Sequence, residues 1–431
     1  MMKQSAFAGE TGQPGRREFL QSASAAAAGA AVVGLLGQLQ AETALGFAAN
    51  DTVNVGCIGT GGRCRHLMKS LREIPNVRIA AVCDVWDVHL EEGAKLADPK
   101  ALRSRNFHEL LERRDLDAVL IGTPDHWHVP ITVAACQAGK DVYVEKPLTH
   151  DLSEGKAAIA AQKAHQRIVQ VGMQQRSMPQ MQQGAQIVAS GKLGKVCKVH
   201  LTWNRNTPRF RKVPLGVDPG QVDWKTFLGS APDQPFDEYR FRQWRWFWDF
   251  GGGILTDLMV HYIDVAHWFL GVEHPLEATA IGDHFAAAGV WETPDTIQCL
   301  LRYPGGVQVY FEGTFSNARN GAMLEFMGED ATLYLDRGRY ELIPERNKKV
   351  APEELILGSG PRGADFYDKP DGELLHLVNW VDCIRTRKTP NAPVEAGVWA
   401  AAAAHLGNIA YRRKIVASWA TEAAGLLEPT G

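Results

Sequence analysis

The stretch "TVNVGCIGTGGRC", residues 52–64, constrains the fold more than any other part of the chain. An apolar run of strand type ends in a glycine-rich turn. The turn opens onto "RCRHLMKSLREI", whose apolar residues return at helical spacing. The alternation continues. "VRIAAVCD" precedes "HLEEGAKLA", "FHELLERRD" precedes "AVLIGTP", "VPITVAACQAG" precedes "DVYVEKP", and "SEGKAAIAAQKAHQ" precedes "IVQVGMQQR". Apolar strands joined through helices specify a parallel sheet covered on both faces. Residues 50–172 are therefore expected to form a doubly wound α/β domain.

The glycine turn indicates what that sheet holds. Gly59 and Gly61 fit the first two positions of G-x-G-x-x-G, with Thr60 between them and Gly62 and Arg63 starting the helix. Gly59 makes the tight turn, Gly61 lets backbone approach a diphosphate, and the helix N-terminus supplies N–H groups. Cys64 stands at the third position, where a small residue allows close helix–strand packing. The next strand ends at Asp84, 25 residues after Gly59. An acid there accepts from a ribose 2′-hydroxyl and repels a 2′-phosphate. The pattern reads as a Rossmann domain for NAD, and nearby arginines leave NADP open. A sheet of this type holding another ligand is the alternative. Ligands of such sheets lie at the strands' carboxyl ends, so "GTPDHWH" brings Thr123, Pro124, His126, Trp127 and His128 toward the cofactor. His126 and His128 are two apart and cannot share a helical face, so turn or cofactor contacts are expected there, and no metal.

Beyond Gly172 the texture changes. A helix near 179–189 and the strand "KVCKVHLTWNR" lead into a Pro-, Gly- and aromatic-rich stretch, residues 206–250. A glycine-led helix follows, "GGGILTDLMVHYIDVAHWFLG". The alternating runs beyond it, with turn signals at 304–306 and 328–330, predict a large, mostly antiparallel open sheet. Residues 173–420 are read as an α/β domain whose C-terminal helices pack back, and 421–431 as a tail.

The N-terminus is of another kind. "GRREFLQ" puts Arg16 and Arg17 before an Ala/Gly/Leu/Val-rich run, the form of an export signal. Residues 1–49 resemble a twin-arginine leader, with a Sec signal or membrane anchor as alternatives. The seven cysteines are odd in number and lack C-x-x-C spacing, so they read as small buried hydrophobes. Such a chain suits folding in a reducing cytosol before export to the periplasm. A net charge of −3 carries no footprint for nucleic acid.

"IGTGGR", "CD", "GTPDHWH", "VYVEKPL", "VGMQQR" and "GGGILTDLMVHYIDVAHW" follow one another in an order that resembles the Gfo/Idh/MocA family of nicotinamide oxidoreductases. "VDWKTFLGSAPDQPF" and "WRWFWDFGGG" are similar to an exported branch of that family. The resemblance covers nearly all of residues 50–420. It implies a Rossmann domain followed by an α/β domain whose sheet often mediates oligomerisation, here a dimer or tetramer. It implies substrates among sugars, cyclitols and their derivatives, and in some members a tightly held nucleotide. By the same resemblance Lys146 matches the catalytic lysine, Glu145 lies near the nicotinamide ribose, and Asp257 and His261 match a carboxylate and histidine of the substrate domain. Gln174 stands at a variable position near the cofactor, and Arg176 is expected at substrate or cofactor.

Hydride chemistry at a hydroxyl needs a base, an electropositive group on the developing alkoxide, and a hydride acceptor. His261 suits the base, and Lys146 the electrostatic stabiliser. Asp257, at i, i+4 from His261, is expected to orient it or hold its charged form, and Asp264 extends the same face. Trp246 and its neighbouring tryptophans suggest an enclosed aromatic site. Trp203, Arg205, Lys225 and Arg245 are weaker candidates for substrate recognition, with packing or surface roles as the alternative. The expected function is an exported oxidoreductase acting on a sugar, glycoside or cyclitol hydroxyl. Redox-assisted glycoside cleavage and a nucleotide-bound sugar-binding protein without turnover are the alternatives.

Overall fold

The computed structural model describes residues 52–206, 214–357 and 371–427. The leader assigned to residues 1–49 lies outside the described residues. Six strands form one all-parallel sheet: β1 (Val53–Ile58), β2 (Val77–Cys83), β3 (Leu102–Ser104), β4 (Ala118–Ile121), β5 (Asp141–Val144) and β6 (Val169–Val171). Their order is β3-β2-β1-β4-β5-β6, so the direction of winding reverses between β1 and β4. A crevice opens at the carboxyl ends of these two strands. Sequence periodicity does not show β3, because three residues at a sheet edge are too few to alternate legibly.

The turn after β1 depends on Gly59, at φ +77°. A Cβ there would lie 2.7 Å from the backbone nitrogen of Thr123, so only glycine lets the two strand ends close up. Cys64 performs the packing expected of it. It is fully buried, and its Cβ would stand 2.8 Å from a Cβ placed on Gly122.

Nine further strands form a second sheet: β7 (Val196–Asn204), β8 (Glu277–Asp283), β9 (Thr296–Arg302), β10 (Gln308–Thr314), β11 (Ala322–Gly328), β12 (Ala331–Asp336), β13 (Arg339–Pro344), β14 (Glu353–Ile356) and β15 (Ala417–Ser418). The order is β14-β13-β12-β11-β7-β10-β9-β8-β15, antiparallel except for the β7–β10 pair. On β9 and β10 buried and solvent-facing residues alternate at period two, which leaves one face of the sheet open. The helix Gly372–Thr386 returns to the first domain. Its Leu377, Trp380 and Val381 share a core with Val55, Leu67 and Tyr143, and the Tyr143 and Trp380 rings meet edge to face at 5.6 Å.

The glycine-led helix does not begin as a regular α-helix. Residues Leu255–Met259 form a π-turn, and α-geometry runs from Val260 to Leu270. Such turns occur mostly as single bulges, often at functional sites. Asp257 lies in this turn and His261 in the α-helical part that follows.

Candidate active site

Two adjoining cavities follow the crevice. The first, of about 320 Å³, is walled by Gly59, Gly61, Gly62, Arg63, Asp84, Thr123, Pro124 and Trp127. The helix Gly62–Leu71 starts here with no side chain capping it, so its first N–H groups can meet an anion. Asp84 accepts from the Trp86 backbone N–H at 2.9 Å and stands 3.7 Å from His89 Nδ1. A dinucleotide fits this arrangement, with its diphosphate at Gly61–Arg63 and a ribose at Asp84. Arg65, Arg105 and Arg242 border the same cleft.

The far wall comes from the aromatic stretch of the second domain: Phe227, Phe241, Arg242, Trp244 and Arg245. This strap is fastened to the nucleotide domain. Trp86 and Val222 form a β-bridge, the Asp223 N–H donates to the Val85 carbonyl at 2.8 Å, and Trp127 Nε1 donates to the Phe227 carbonyl at 3.1 Å. Sequence reading missed Phe227, Phe241, Arg242 and Trp244, because their position depends on a loop folding back over a distant strand end.

The second cavity is lined by Arg63, Thr123, His128, Glu145, Lys146 and Gln174 from the first domain. Trp203, Arg205, Trp244, Arg245, Asp257, His261 and Arg337 line it from the second. It shares Arg63, Gly122, Thr123, Trp244 and Arg245 with the first cavity, so the two join. Lys146 leaves the end of β5 where Pro147 stops the strand; the peptide between them is cis. Its ammonium donates to Asp257 Oδ1 at 2.7 Å and to the Asp257 carbonyl at 2.7 Å. Arg245 Nε reaches the same carboxylate oxygen at 3.3 Å. Asp257 thus holds Lys146, and its carboxylate also pulls the His261 imidazole toward the charged form.

His261 is positioned by packing. Its ring stacks on Trp203 with centroids 5.3 Å apart, and its buried Nδ1 has no hydrogen-bond partner among the described residues. Burial, then the Lys146 ammonium and Arg337 guanidinium, hold its imidazole well below the ordinary value, against the pull of Asp257. It is therefore neutral, the form a base requires. Trp203 lines the cavity, but its ring serves His261 and lies under the Arg337 guanidinium at 4.5 Å.

Glu145 accepts from Arg63 Nε at 2.9 Å and from Gln174 Nε2 at 3.3 Å. Arg63 also pairs with the buried Glu373. His128 lies between the Pro147 and Thr123 carbonyls, at 2.6 and 3.0 Å, and ties the ends of β4 and β5 together.

Five expected residues face elsewhere. Thr60 is buried and its hydroxyl donates to the His89 carbonyl at 2.9 Å, so its side chain is used within the fold. His126 is buried against the Phe227 carbonyl at 2.8 Å and borders neither cavity. Trp246 stacks on Trp291 at 4.2 Å and meets Phe315 at 5.2 Å, which makes it core. Arg176 grips both oxygens of Asp264, at 2.8–3.0 Å, behind the cavity, because their elements meet there in the domain interior. Lys225 is exposed on the strap and lines neither cavity. Arg337 is an addition. It sits in the β12–β13 turn, whose carbonyls at 336 and 337 accept from Gln180 Nε2. A lone arginine in a hairpin turn carries no sequence signal.

Comparison with known proteins bears on the whole arrangement. Residues 53–173 match the oxidoreductase family, NAD-binding Rossmann fold, of the GFO/IDH/MocA group. Residues 181–334 match its C-terminal domain. This chain belongs to the Gfo/Idh/MocA family. A glycosyl hydrolase family 109 protein of Solibacter usitatus is 33% identical over 35% of this chain, and the match spans only 37% of that protein. The scyllo-inositol 2-dehydrogenase (NAD+) of Bacillus subtilis is 24% identical over 75% of this chain and 84% of its own length. Among solved structures, levoglucosan dehydrogenase in complex with NADH superposes with a TM-score of 0.66 at 16% identity, covering 85% of this chain and 98% of that one. At that identity the likeness is one of fold. Within the Gfo/Idh/MocA framework the first domain is an NAD-binding Rossmann domain.

Proposed function

We propose that this protein is an exported oxidoreductase that moves hydride between a retained NAD and the carbon bearing a hydroxyl of a sugar, glycoside or cyclitol. The observation that carries the reading is the convergence of Lys146, Asp257 and His261 in a cavity that joins the cofactor cleft. The nucleotide, when bound, accepts or returns the hydride. Lys146 places a positive charge where the substrate oxygen becomes an alkoxide. Asp257 keeps that ammonium in position, and the neutral His261 imidazole takes the hydroxyl proton. The strap supports retention, since Phe227, Phe241 and Trp244 wall the cleft from the second domain.

The protein, purified without added nucleotide and then denatured, is expected to release NAD(H) near one equivalent per chain. Glycosides and cyclitols should then be screened for product. An empty protein that binds no added NAD would end the reading. The similarity of about a third of the chain to the Solibacter glycosyl hydrolase favours a second reading, in which oxidation acidifies a neighbouring C–H, the aglycone is eliminated, water adds, and the ketone is reduced again. Product formed without net nucleotide reduction identifies that cycle.

The open face of the second sheet, with exposed Ile281 and Leu300, suits assembly into a dimer or tetramer. Export rests on Arg16 and Arg17. The seven cysteines, all free and six of them buried, suit a fold completed before export. Replacing both arginines by lysine should leave the protein in the cytoplasm, read by fractionation. Unchanged delivery to the periplasm would remove the twin-arginine assignment.

A further inference from the structure

Arg63, Arg65, Arg105, Arg242 and Arg245 border the nucleotide cleft. All but Arg242 are paired with a carboxylate. Arg63 meets Glu145 and Glu373, Arg65 meets Glu92 at 2.7 Å, Arg105 meets Asp87, and Arg245 meets Asp257 at 3.3 Å. Arg242 forms no ion pair among the described residues; its contacts are with the His89 and Trp86 rings. Glu92 and Asp84 favour its charge from a distance, and the Arg65 guanidinium opposes it.

The strap delivers this side chain. Arg242 ends the short helix Glu238–Arg242, which Asp237 caps through the N–H groups of Tyr239 and Arg240. Buried Phe241 seats the helix: its ring meets Trp86 at 5.6 Å and Phe227 at 4.9 Å. Arg240, on the same helix, is taken up by Asp249 and Glu292, at 2.6 and 2.5 Å. Arg242 instead crosses to the first domain. Its guanidinium lies over the Trp86 ring at 4.8 Å, and Nη1 donates to His89 Nε2 at 3.0 Å. A guanidinium has no acceptor, so His89 Nε2 accepts, and Nδ1–H faces Asp84 at 3.7 Å. The His89 ring stands 3.5 Å from where a Cβ on Gly61 would lie. One imidazole therefore separates Arg242 from the diphosphate turn. The residue is exposed at the cleft, with N–H donors beyond the one given to His89.

We propose that Arg242 binds a phosphate group of the dinucleotide, so that the second domain holds the cofactor by charge as well as by its aromatic wall. This rests on the reading of the cleft as the nucleotide site, and it deepens the retention proposed for the strap. A guanidinium fork matches phosphate geometry. Two phosphates satisfy that chemistry: the diphosphate at Gly61–Arg63, common to NAD and NADP, and the 2′-phosphate of NADP beside Asp84. The closeness of His89 to Gly61 favours the first, and the Asp84 carboxylate repels the second. An anion there also lets Arg65 and Arg242 share a partner in place of opposing each other.

The test measures nucleotide binding separately from turnover. Trp127 and Trp244 wall the cleft, so energy transfer from tryptophan to NADH reports occupancy, and release is timed after adding excess NAD. Arg242→Gln should release NADH roughly 10- to 100-fold faster, the scale of a charged hydrogen bond. Arg242→Lys should recover part of that loss, and the gap to wild type should narrow at high salt. Competition against NADH separates the sources. Arg242→Gln should weaken ADP and leave adenosine unchanged where the diphosphate is held, and weaken NADP alone where the 2′-phosphate is. The strap should stay in place, because its β-bridge and backbone hydrogen bonds do not involve the Arg242 side chain. An unchanged melting temperature of the nucleotide-free variant checks this. Unchanged NADH release together with unchanged NADP affinity would overturn the proposal. ADP and adenosine weakened alike would overturn it too, since Arg242 would then only pack the strap. NADH release that depends on Arg242 in a protein that transfers no hydride would instead count against the redox reading alone.

Discussion

Lys146→Ala is expected to slow single-turnover hydride transfer by roughly 10²–10³-fold, the scale for losing one electrostatic stabiliser of a developing oxyanion. The competing account is that Lys146 is a structural partner of Asp257. Both side chains are nearly buried, 11% and 13% exposed, and removing one member of such a pair ordinarily destabilises a fold by several kcal/mol. Here the remaining carboxylate keeps a second cation, because Arg245 Nε lies 3.3 Å from the same oxygen. The cost to the fold should therefore be small beside the cost to the rate. Transfer rate, melting temperature and released nucleotide, measured on one preparation, separate the accounts. A variant that transfers hydride at the wild-type rate removes Lys146 from catalysis. One that melts early and loses rate only in proportion to its unfolded fraction makes the residue structural.

Acid should destabilise this protein well before its surface carboxylates protonate. Burial holds His126, His376 and His405 down to about 4, His267 down to about 3, and His261 well below its ordinary value. Their ordinary value is 6.5. Below that pH the unfolded chain takes up protons that the fold refuses, so stability falls as pH falls and levels off near the folded-state values. Glu154, pushed up to about 7 by burial, acts in the opposite sense over that window, and Asp125, Asp264 and Asp382, also raised by burial, share its sign. Burial also holds His128 down to about 4, against the two carbonyl oxygens that favour its protonation, and holds His150 below its ordinary value. Seven histidines held down outnumber four carboxyls pushed up, so the net effect of acid is a loss of stability. The melting temperature should fall by roughly 5–10 °C between about pH 7 and pH 5. A flat or rising profile would mean that the carboxyls outweigh the histidines.

The first domain was legible because its rules are local. The "GCIGTGGRC" turn, the apolar strands and the intervening helices follow from near-neighbour patterns, and the structure forms β1, β2 and β4–β6 there. Gly59 is required by the sequence motif and by the 2.7 Å approach to Thr123 alike. Lys146 at a strand end before a proline, and His261 on a glycine-led helix, could likewise be picked out and assigned to one cavity through a familiar motif set.

Pairings in three dimensions were another matter. Trp246 and Trp203 stand in equally suggestive aromatic surroundings, yet one is core against Trp291 and the other lies beneath His261. Helical spacing put Asp257 beside His261, and the fold adds Lys146 as its hydrogen-bond partner. Arg176, with a sequence motif in its favour, is spent on Asp264, whereas Arg337, with none, reaches the cavity from a turn.

The sequence by itself determined the parallel nucleotide-binding sheet, the order of its parts and the two residue types that the chemistry needs. The tertiary structure alone decided which charges meet, which aromatics are walls, and that a strap from the second domain closes the cofactor cleft. Strands, helices and turns answer to interactions a few residues apart. The partner of a side chain is instead chosen by the packing of elements a hundred or more residues apart, as Lys146 and Asp257 are, and no short stretch of chain encodes that choice.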